Sequence, residues 1–399
     1  MKRFCFVILA IVFLLAPALS HATQFSIVGP RALGMGGASV AAVNDSTAVY
    51  WNPAALADFK KFEIRLPVSA AIRDHMDLSN TWDRINAIYA LAQTGDSTAL
   101  TELRQLILDL DKPNSTTDID ASAGVLVSIP FGRSTIAVSA LGIAYAELYP
   151  MVDTYNTNTS ILLPPDSITN NNTEITGIGI AAAEPAVTFS TAIGEQFFIG
   201  ANAKMIQAST FVHSQSITTG DFSTFIDNLD ASETRSSKGS IDAGILFKPM
   251  KSLNLGLVGR YLNSPSFPIQ GLFAVDTGAA VTEVFLSGEI ELKPQYRAGI
   301  AWKPFERLTL SADYDLSKNK SLTELYEDQT LAAGVEFTLP KEIFSIRGGM
   351  YKNLADSNSN MVYTAGFGIR AFILRVDIAG AYDFDEKEGQ ASASLALRF

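Results

Sequence analysis

Strict alternation of apolar and polar residues, repeated in short segments from about Lys60 to the end of the chain, constrains this sequence more than any other feature. Leu308, Leu310, Ala312, Tyr314 and Leu316 fall on one face of such a segment, and Thr309, Ser311, Asp313 and Asp315 on the other. Leu374, Val376, Ile378, Tyr382 and Phe384 oppose Arg375, Asp377 and Asp383. Leu253, Leu255, Leu257 and Tyr261 oppose Asn254 and Arg260. Side chains alternate across a strand, so each segment has one apolar and one charged face. In a soluble sandwich the apolar faces meet in a core. In an outer-membrane barrel they meet lipid, and the polar faces line the lumen.

The connections separate these architectures. Tight turns fall at Pro130–Gly132, Gly194–Gln196, Lys248–Lys251, Lys303–Glu306 and Leu339–Glu342. Long loops fall near 73–117, 147–176, 214–235, 263–288, 317–328 and 353–360. Short turns on one rim and long loops on the other is the arrangement of a membrane barrel. Strand starts near 62, 118, 133, 177, 197, 236, 252, 290, 307, 329, 343, 361, 373 and 389 predict an all-β, transmembrane antiparallel barrel of about 14 strands, with both ends on the periplasmic side. Phe247, Tyr261, Trp302, Tyr314, Tyr351 and Tyr382 lie near strand ends, as an interfacial aromatic girdle requires. The last residues, Leu395 to Phe399, resemble the signal of outer-membrane barrels, which implies the barrel assembly machinery as a partner through Phe399.

The chain begins as an exported one. Lys2 and Arg3 precede the apolar run Phe4–Leu15, and Ser20-His21-Ala22 offers small residues for cleavage after Ala22. Residues 1–22 are therefore expected to be a signal peptide, and the destination the outer membrane of a Gram-negative bacterium. No later run reaches the roughly 20 apolar residues of a membrane helix. Cys5, the only cysteine, lies in the signal, so the mature chain is expected to have no disulfide or thiolate site. Loss of Lys2 and Arg3 takes the formal net charge from -11 to -13, which argues against nucleic acid as a partner. Outer-membrane lipid and lipopolysaccharide are the expected surroundings, and no cofactor or metal site is expected.

Two regions depart from the strand pattern. Trp82, Ile85, Tyr89 and Ala92, then Leu100, Leu103, Leu106 or Ile107, and Leu110, have helical spacing. Gly95-Asp96-Ser97 divides them, with Ser97 as candidate N-cap, giving a helical extracellular loop over 81–110. It serves either as a packed cap on the rim or as an apolar capture patch. Residues 23–59 are compact and glycine-rich. Gly34-x-Gly36 is followed by Ser39 where a dinucleotide fingerprint needs its third glycine, which excludes that motif.

The segment from Gly29 to Leu56, with Gly34-Met35-Gly36-Gly37 and Tyr50-Trp51-Asn52-Pro53-Ala54, resembles the long-chain fatty acid transporter (FadL) family. Its wording resembles even more the conjugal transfer TraF-like and secretion-barrel relatives. The resemblance implies an N-terminal luminal hatch over 23–59, ahead of a barrel over 60–399. Gly34, Met35, Gly36, Gly37, Asn52, Pro53 and Ala54 would be its gate. Arg260, Asp313, Arg347, Arg375 and Asp377 would form a wet, charged lumen lining. Glu184-Pro185 interrupts a smooth strand, and proline breaks ladder pairing, so a bulge or lateral wall gap is expected there.

Two functions of different class fit this layout. One is passive uptake of hydrophobic small molecules, such as long-chain fatty acids. The other is a non-transporting accessory barrel of conjugative transfer or protein secretion. Catalysis is not expected: His213 and Ser214 are neighbours on a strand and point to opposite faces. The acidic stretch Asp221 to Glu233 reads as a solvated loop, with divalent ions or lipopolysaccharide counter-ions as the alternative.

Overall fold

Each amphipathic segment becomes one stave of a closed antiparallel barrel. The structure is a computed structural model. It describes residues 25–112, 115–157, 165–276, 281–324, 327–357, 359–384 and 389–399. The signal segment, its cleavage point and Cys5 lie outside the described residues.

The strands are β1 (Glu63–Asp74), β2 (Thr117–Phe131), β3 (Ser134–Met151), β4 (Glu174–Ile193), β5 (Phe197–Ser216), β6 (Thr234–Met250), β7 (Leu253–Arg260), β8 (Ser266–Asp276), β9 (Val281–Glu291), β10 (Gln295–Phe305), β11 (Leu308–Asp315), β12 (Asn319–Lys320), β13 (Glu327–Asp328), β14 (Thr330–Thr338), β15 (Phe344–Asn353), β16 (Val362–Ala371), β17 (Leu374–Tyr382) and β18 (Gly389–Arg398). The wall runs β1-β18-β17-β16-β15-β14-β11-β10-β7-β6-β5-β4-β3-β2 and closes between β2 and β1. The first and last strands pair from Glu63↔Arg398 to Ile72↔Gly389, which leaves no free edge. Leu374, Val376 and Ile378 are exposed outside, whereas Arg375 and Asp377 are buried inside. Among the described residues no helix is long and apolar enough to cross a membrane. The apolar exterior and closed ladder make this an outer-membrane type of barrel, which crosses the bilayer with strands.

Several expectations change once the chain is closed. A strand beginning near 290, after a long loop, is replaced by a hairpin. β8 and β9 pair with each other outside the wall, and the wall resumes at Gln295. Phe267 and Ile269 of β8 pack on Ile206, Ala208 and Val212 of the inner face of β5. Period-two alternation is the same in either setting, so the sequence pattern does not distinguish a wall strand from a strand folded into the mouth.

Residues 25–59 contain the short helices α1 (Pro30–Gly34), α2 (Ala48–Trp51) and α3 (Leu56–Phe59). The first long loop carries α4 (Leu78–Ala92) and α5 (Ser97–Leu110). The cap of α5 is Asp96 rather than Ser97: its carboxylate accepts from the backbone N–H groups of Thr98 and Ala99. Trp82, Ile85, Leu103 and Ile107 are buried against Leu148, Ile175 and Phe225, so this stripe is packing surface and not an open capture patch. The acidic stretch after Gly220 is also ordered. Asp221 caps α7 (Phe222–Ala231), counting Thr154–Thr157 as α6, and Phe225 is buried. Trp302, Tyr314 and Tyr382 are exposed on the outside, but Tyr261 is not part of a girdle. It follows the end of β7 with φ +52° and turns into the lumen.

Candidate functional site

A barrel of about eight strands is filled by its own side chains, and wider ones enclose space. Here residues 25–59 occupy that space. Gly34, Met35, Gly36 and Gly37 are all buried. Gly36 has φ +68°, and a Cβ there would lie 2.5 Å from the carbonyl oxygen of Met350. Gly349 on β15 is the matching absence: its Cβ would lie 2.4 Å from the Gly36 nitrogen. Backbone thus rests on backbone, and the Gly36 N–H donates to Thr364 Oγ1 at 3.0 Å.

Asn52-Pro53-Ala54 is held on the opposite wall. Asn52 Nδ2 donates to the carbonyls of Val40 and Ile245, each at 3.0 Å, while its Oδ1 accepts from the Ala54 N–H at 3.1 Å. A Cβ on Gly244 of β6 would lie 2.2 Å from Asn52 Oδ1, so only glycine leaves room for this side chain.

The expected charged lining is present on the inner face, but it is dry. Arg347 Nε meets Glu336 at 2.6 Å and its Nη1 meets Asp377 at 2.9 Å. Glu336 also takes Arg31 of the amino-terminal segment at 2.8 Å. Asp377 is shared by Arg375 at 2.7 Å and Arg65 at 3.5 Å. Arg65 continues to Glu63 at 2.9 Å and to Asp45 at 3.6 Å, and Arg398 closes on Glu63 at 2.5 Å. The chain of ion pairs therefore crosses β14, β15, β17, β18 and β1 and twice reaches the amino-terminal segment. Asp313 adds a further clamp, its Oδ2 accepting from the N–H groups of Ser39 at 2.7 Å and Val40 at 2.8 Å. The wetted wall is corrected for a physical reason. The segment excludes water, and buried charges then persist only when paired and hydrogen-bonded.

Arg260 belongs to a different arrangement. Its guanidinium lies 3.8 Å from the Tyr50 ring centre and 4.7 Å from that of Tyr261. Arg297, paired with Asp315, lies 4.2 Å from the Phe25 ring centre. Lys204 joins Glu184 at 3.0 Å and Asp242 at 3.2 Å, and Tyr261 Oη donates to Glu184 at 2.9 Å. Beside this cluster is a cavity of about 40 Å³. Ser26, Glu184, Arg260 and Tyr261 line its polar side; Ile143, Tyr145, Ile180, Ala182, Leu292 and Leu322 line the rest.

The wall at Glu184-Pro185 has no bulge. Leu141↔Glu184 and Ala140↔Pro185 are paired with β3. Toward β5 the ladder passes from Ala183↔Gln207 to Ala186↔Lys204, skipping both residues without a shift of register. Pro185 has no N–H to donate, which accounts for a lapse confined to the side of the missing donor. Elsewhere, His213 and Ser214 are not arranged as a base and nucleophile. Ser214 Oγ bonds Thr176 Oγ1 at 2.6 Å, and the His213 ring packs by Phe225.

Sequence reading missed Glu63, Arg65, Lys204, Glu336 and Arg398. Their signal was available in the alternation, since each occupies the face opposite the lipid-facing residues of its strand.

Comparisons with known proteins agree with this architecture. The toluene transporter TbuX of Ralstonia pickettii superposes with TM-score 0.54 at 12% identity, over 93% of this chain and 97% of its own. A FadL homologue of Pseudomonas aeruginosa gives 0.54 at 12%, over 94% and 99%. The monoaromatic hydrocarbon channel CymD gives 0.55 at 13%, over 94% and 98%. At such identity these likenesses establish the shared fold. No curated protein sequence matches the chain. The family model described as "F plasmid transfer operon, TraF, protein" matches residues 49–315, from the middle of the luminal segment through β11. That match spans more than half of the chain, and the protein therefore belongs to this TraF family.

Proposed function

We propose that the barrel passes small hydrophobic molecules across the outer membrane of a Gram-negative bacterium, with residues 25–59 acting as a hatch. The long-loop rim then faces outward. The observation that carries this reading is the cavity between Ser26 of the hatch and the wall at Glu184, where the β4–β5 ladder lapses. An apolar solute next to an interrupted wall has a short route into lipid. The names of the similar structures, a toluene transporter, a monoaromatic hydrocarbon channel and a FadL homologue, support the same reading.

The cavity also defines what must move. It holds about 40 Å³. An apolar cavity that accepts benzene is about 150 Å³. Passage of an aromatic or a fatty acid therefore requires displacement of the hatch or of the loop residues Leu292 and Leu322. Toluene and oleate uptake into proteoliposomes tests this, with folded barrels verified by heat-modifiable gel migration. Saturable uptake by the wild type, altered by deletion of Gly34 to Gly37, is expected. A folded wild-type barrel that passes neither solute faster than empty liposomes would overturn the proposal.

The second reading, an accessory barrel in conjugative transfer or secretion that carries no small molecule, is favoured by the family membership and by the continuous ion pairs that hold the lumen closed. Failure of uptake would leave it as the better account.

A further inference from the structure

The β8–β9 hairpin presents an unusual edge. β8 is fastened to the wall: Thr210 Oγ1 donates to the Pro268 carbonyl at 2.7 Å, and a Cβ on Gly271 would lie 2.3 Å from the Val212 carbonyl oxygen. Among the described residues β9 pairs with β8 and with no other strand. Every residue from Thr282 to Glu289 is exposed, including Val284, Leu286 and Phe285, the last at 68%. An exposed apolar edge strand invites pairing, and proteins usually blunt such edges with lysine, proline or a bulge. β9 has no lysine, proline or bulge; its only charges are Glu283, Glu289 and Glu291, which repel an acidic strand but not a basic one.

The charge on the hairpin itself has one sign. Residues 266–291 contain Asp276, Glu283, Glu289 and Glu291 and no lysine or arginine. Glu283 is near enough to Glu174, at the top of β4, for the two carboxylates to repel. Glu174 is only 5% exposed, and its Oε2 has no hydrogen-bond partner. A buried carboxylate oxygen left unpaired beside a second carboxylate is costly. A cationic side chain placed between the two would remove that cost.

We infer that β9 is a docking edge for an extended basic segment of a protein partner, which adds to the hairpin as a third strand and sets a lysine or arginine between Glu174 and Glu283. Main-chain hydrogen bonds supply the pairing, and alternate apolar side chains meet Val284 and Leu286. This surface is independent of whether the lumen conducts.

The test uses a fluorescent ten-residue peptide of alternating lysine and valine, titrated against the full-length barrel in nanodiscs. Two controls separate strand addition from general attraction to an acidic protein. One peptide carries N-methyl groups on alternate residues, which removes edge donors and keeps the charge. One protein carries Glu174→Gln with Glu283→Gln. Each change is expected to weaken binding about tenfold or more, and Asp109→Asn on α5 is expected to leave it unchanged. Equal binding of the N-methyl peptide, or by the double variant, would overturn the proposal. So would disulfide-linked dimers of Phe285→Cys that exclude the peptide, because the edge would then serve a second copy of the chain.

Discussion

The luminal segment is held by two walls of different character. On the side of β14, β15, β17, β18 and β1 it is clamped by directional ion pairs, with Arg31 on Glu336, Asp45 on Arg65, and Arg347 binding Glu336 to Asp377. On the side of β7 and β10 it lies flat, Tyr50 and Phe25 resting on the faces of Arg260 and Arg297. Ion pairs inside a dry lumen have one good geometry, and a partner removed leaves a bare charge. A ring over a guanidinium tolerates sliding, because the attraction varies gently across the face. The cavity lies on the second side, lined by Arg260 and Tyr261. The segment is thus built with a fixed side and a yielding side, and any opening is expected beside Arg260.

The largest test of this asymmetry is Arg347→Ala. It leaves Glu336 with Arg31 alone and Asp377 with Arg375 and Arg65, while removing two buried charged hydrogen bonds, and a loss of about 3 kcal/mol in urea unfolding is expected. Arg260→Met should cost less, about 1–2 kcal/mol. It should raise amide hydrogen exchange at residues 25–28 while exchange at residues 31–36 stays slow. If both variants cost the same and release the whole segment, the division into two sides is wrong.

The smallest effect concerns Glu342, on the turn between β14 and β15. Burial alone would raise its carboxyl, but Arg398, Lys61 and Arg375 outweigh burial and hold it below the usual carboxylate range. A depressed folded value means that the stabilisation is present above the unfolded value and is lost as pH falls through the folded one. Glu342→Gln should therefore be less stable than wild type at pH 7 by under about 1 kcal/mol, with the gap closing in acid. A gap that grows in acid would contradict the assignment.

Much of this was legible before folding. Thirteen of the expected starts fall close to a wall strand, as at Phe197 and Gly389, and the exception near 290 falls in β9. The inward direction of Arg260, Asp313, Arg347, Arg375 and Asp377 followed from parity alone. The cap lies at Asp96, one residue before the expected Ser97, and the few apolar positions of α7 do not distinguish it from a loop. The skipped pair at Glu184-Pro185 was readable as a proline effect, but its form was not. Whether a wall bulges or merely omits a hydrogen bond depends on the neighbouring strand.

By itself, then, the sequence determined a membrane barrel, the number of its staves, the face of each residue and the place of the non-strand segment before β1. These depend on period two and on turn length, both local properties. Only the tertiary structure decided which charges meet, that the lumen beside the segment is dry, that Tyr261 turns inward, and that β8 and β9 leave the wall. Partner choice depends on residues hundreds of positions apart, such as Arg31 and Glu336. Alternation specifies the side a residue faces and carries no information about what will be waiting there.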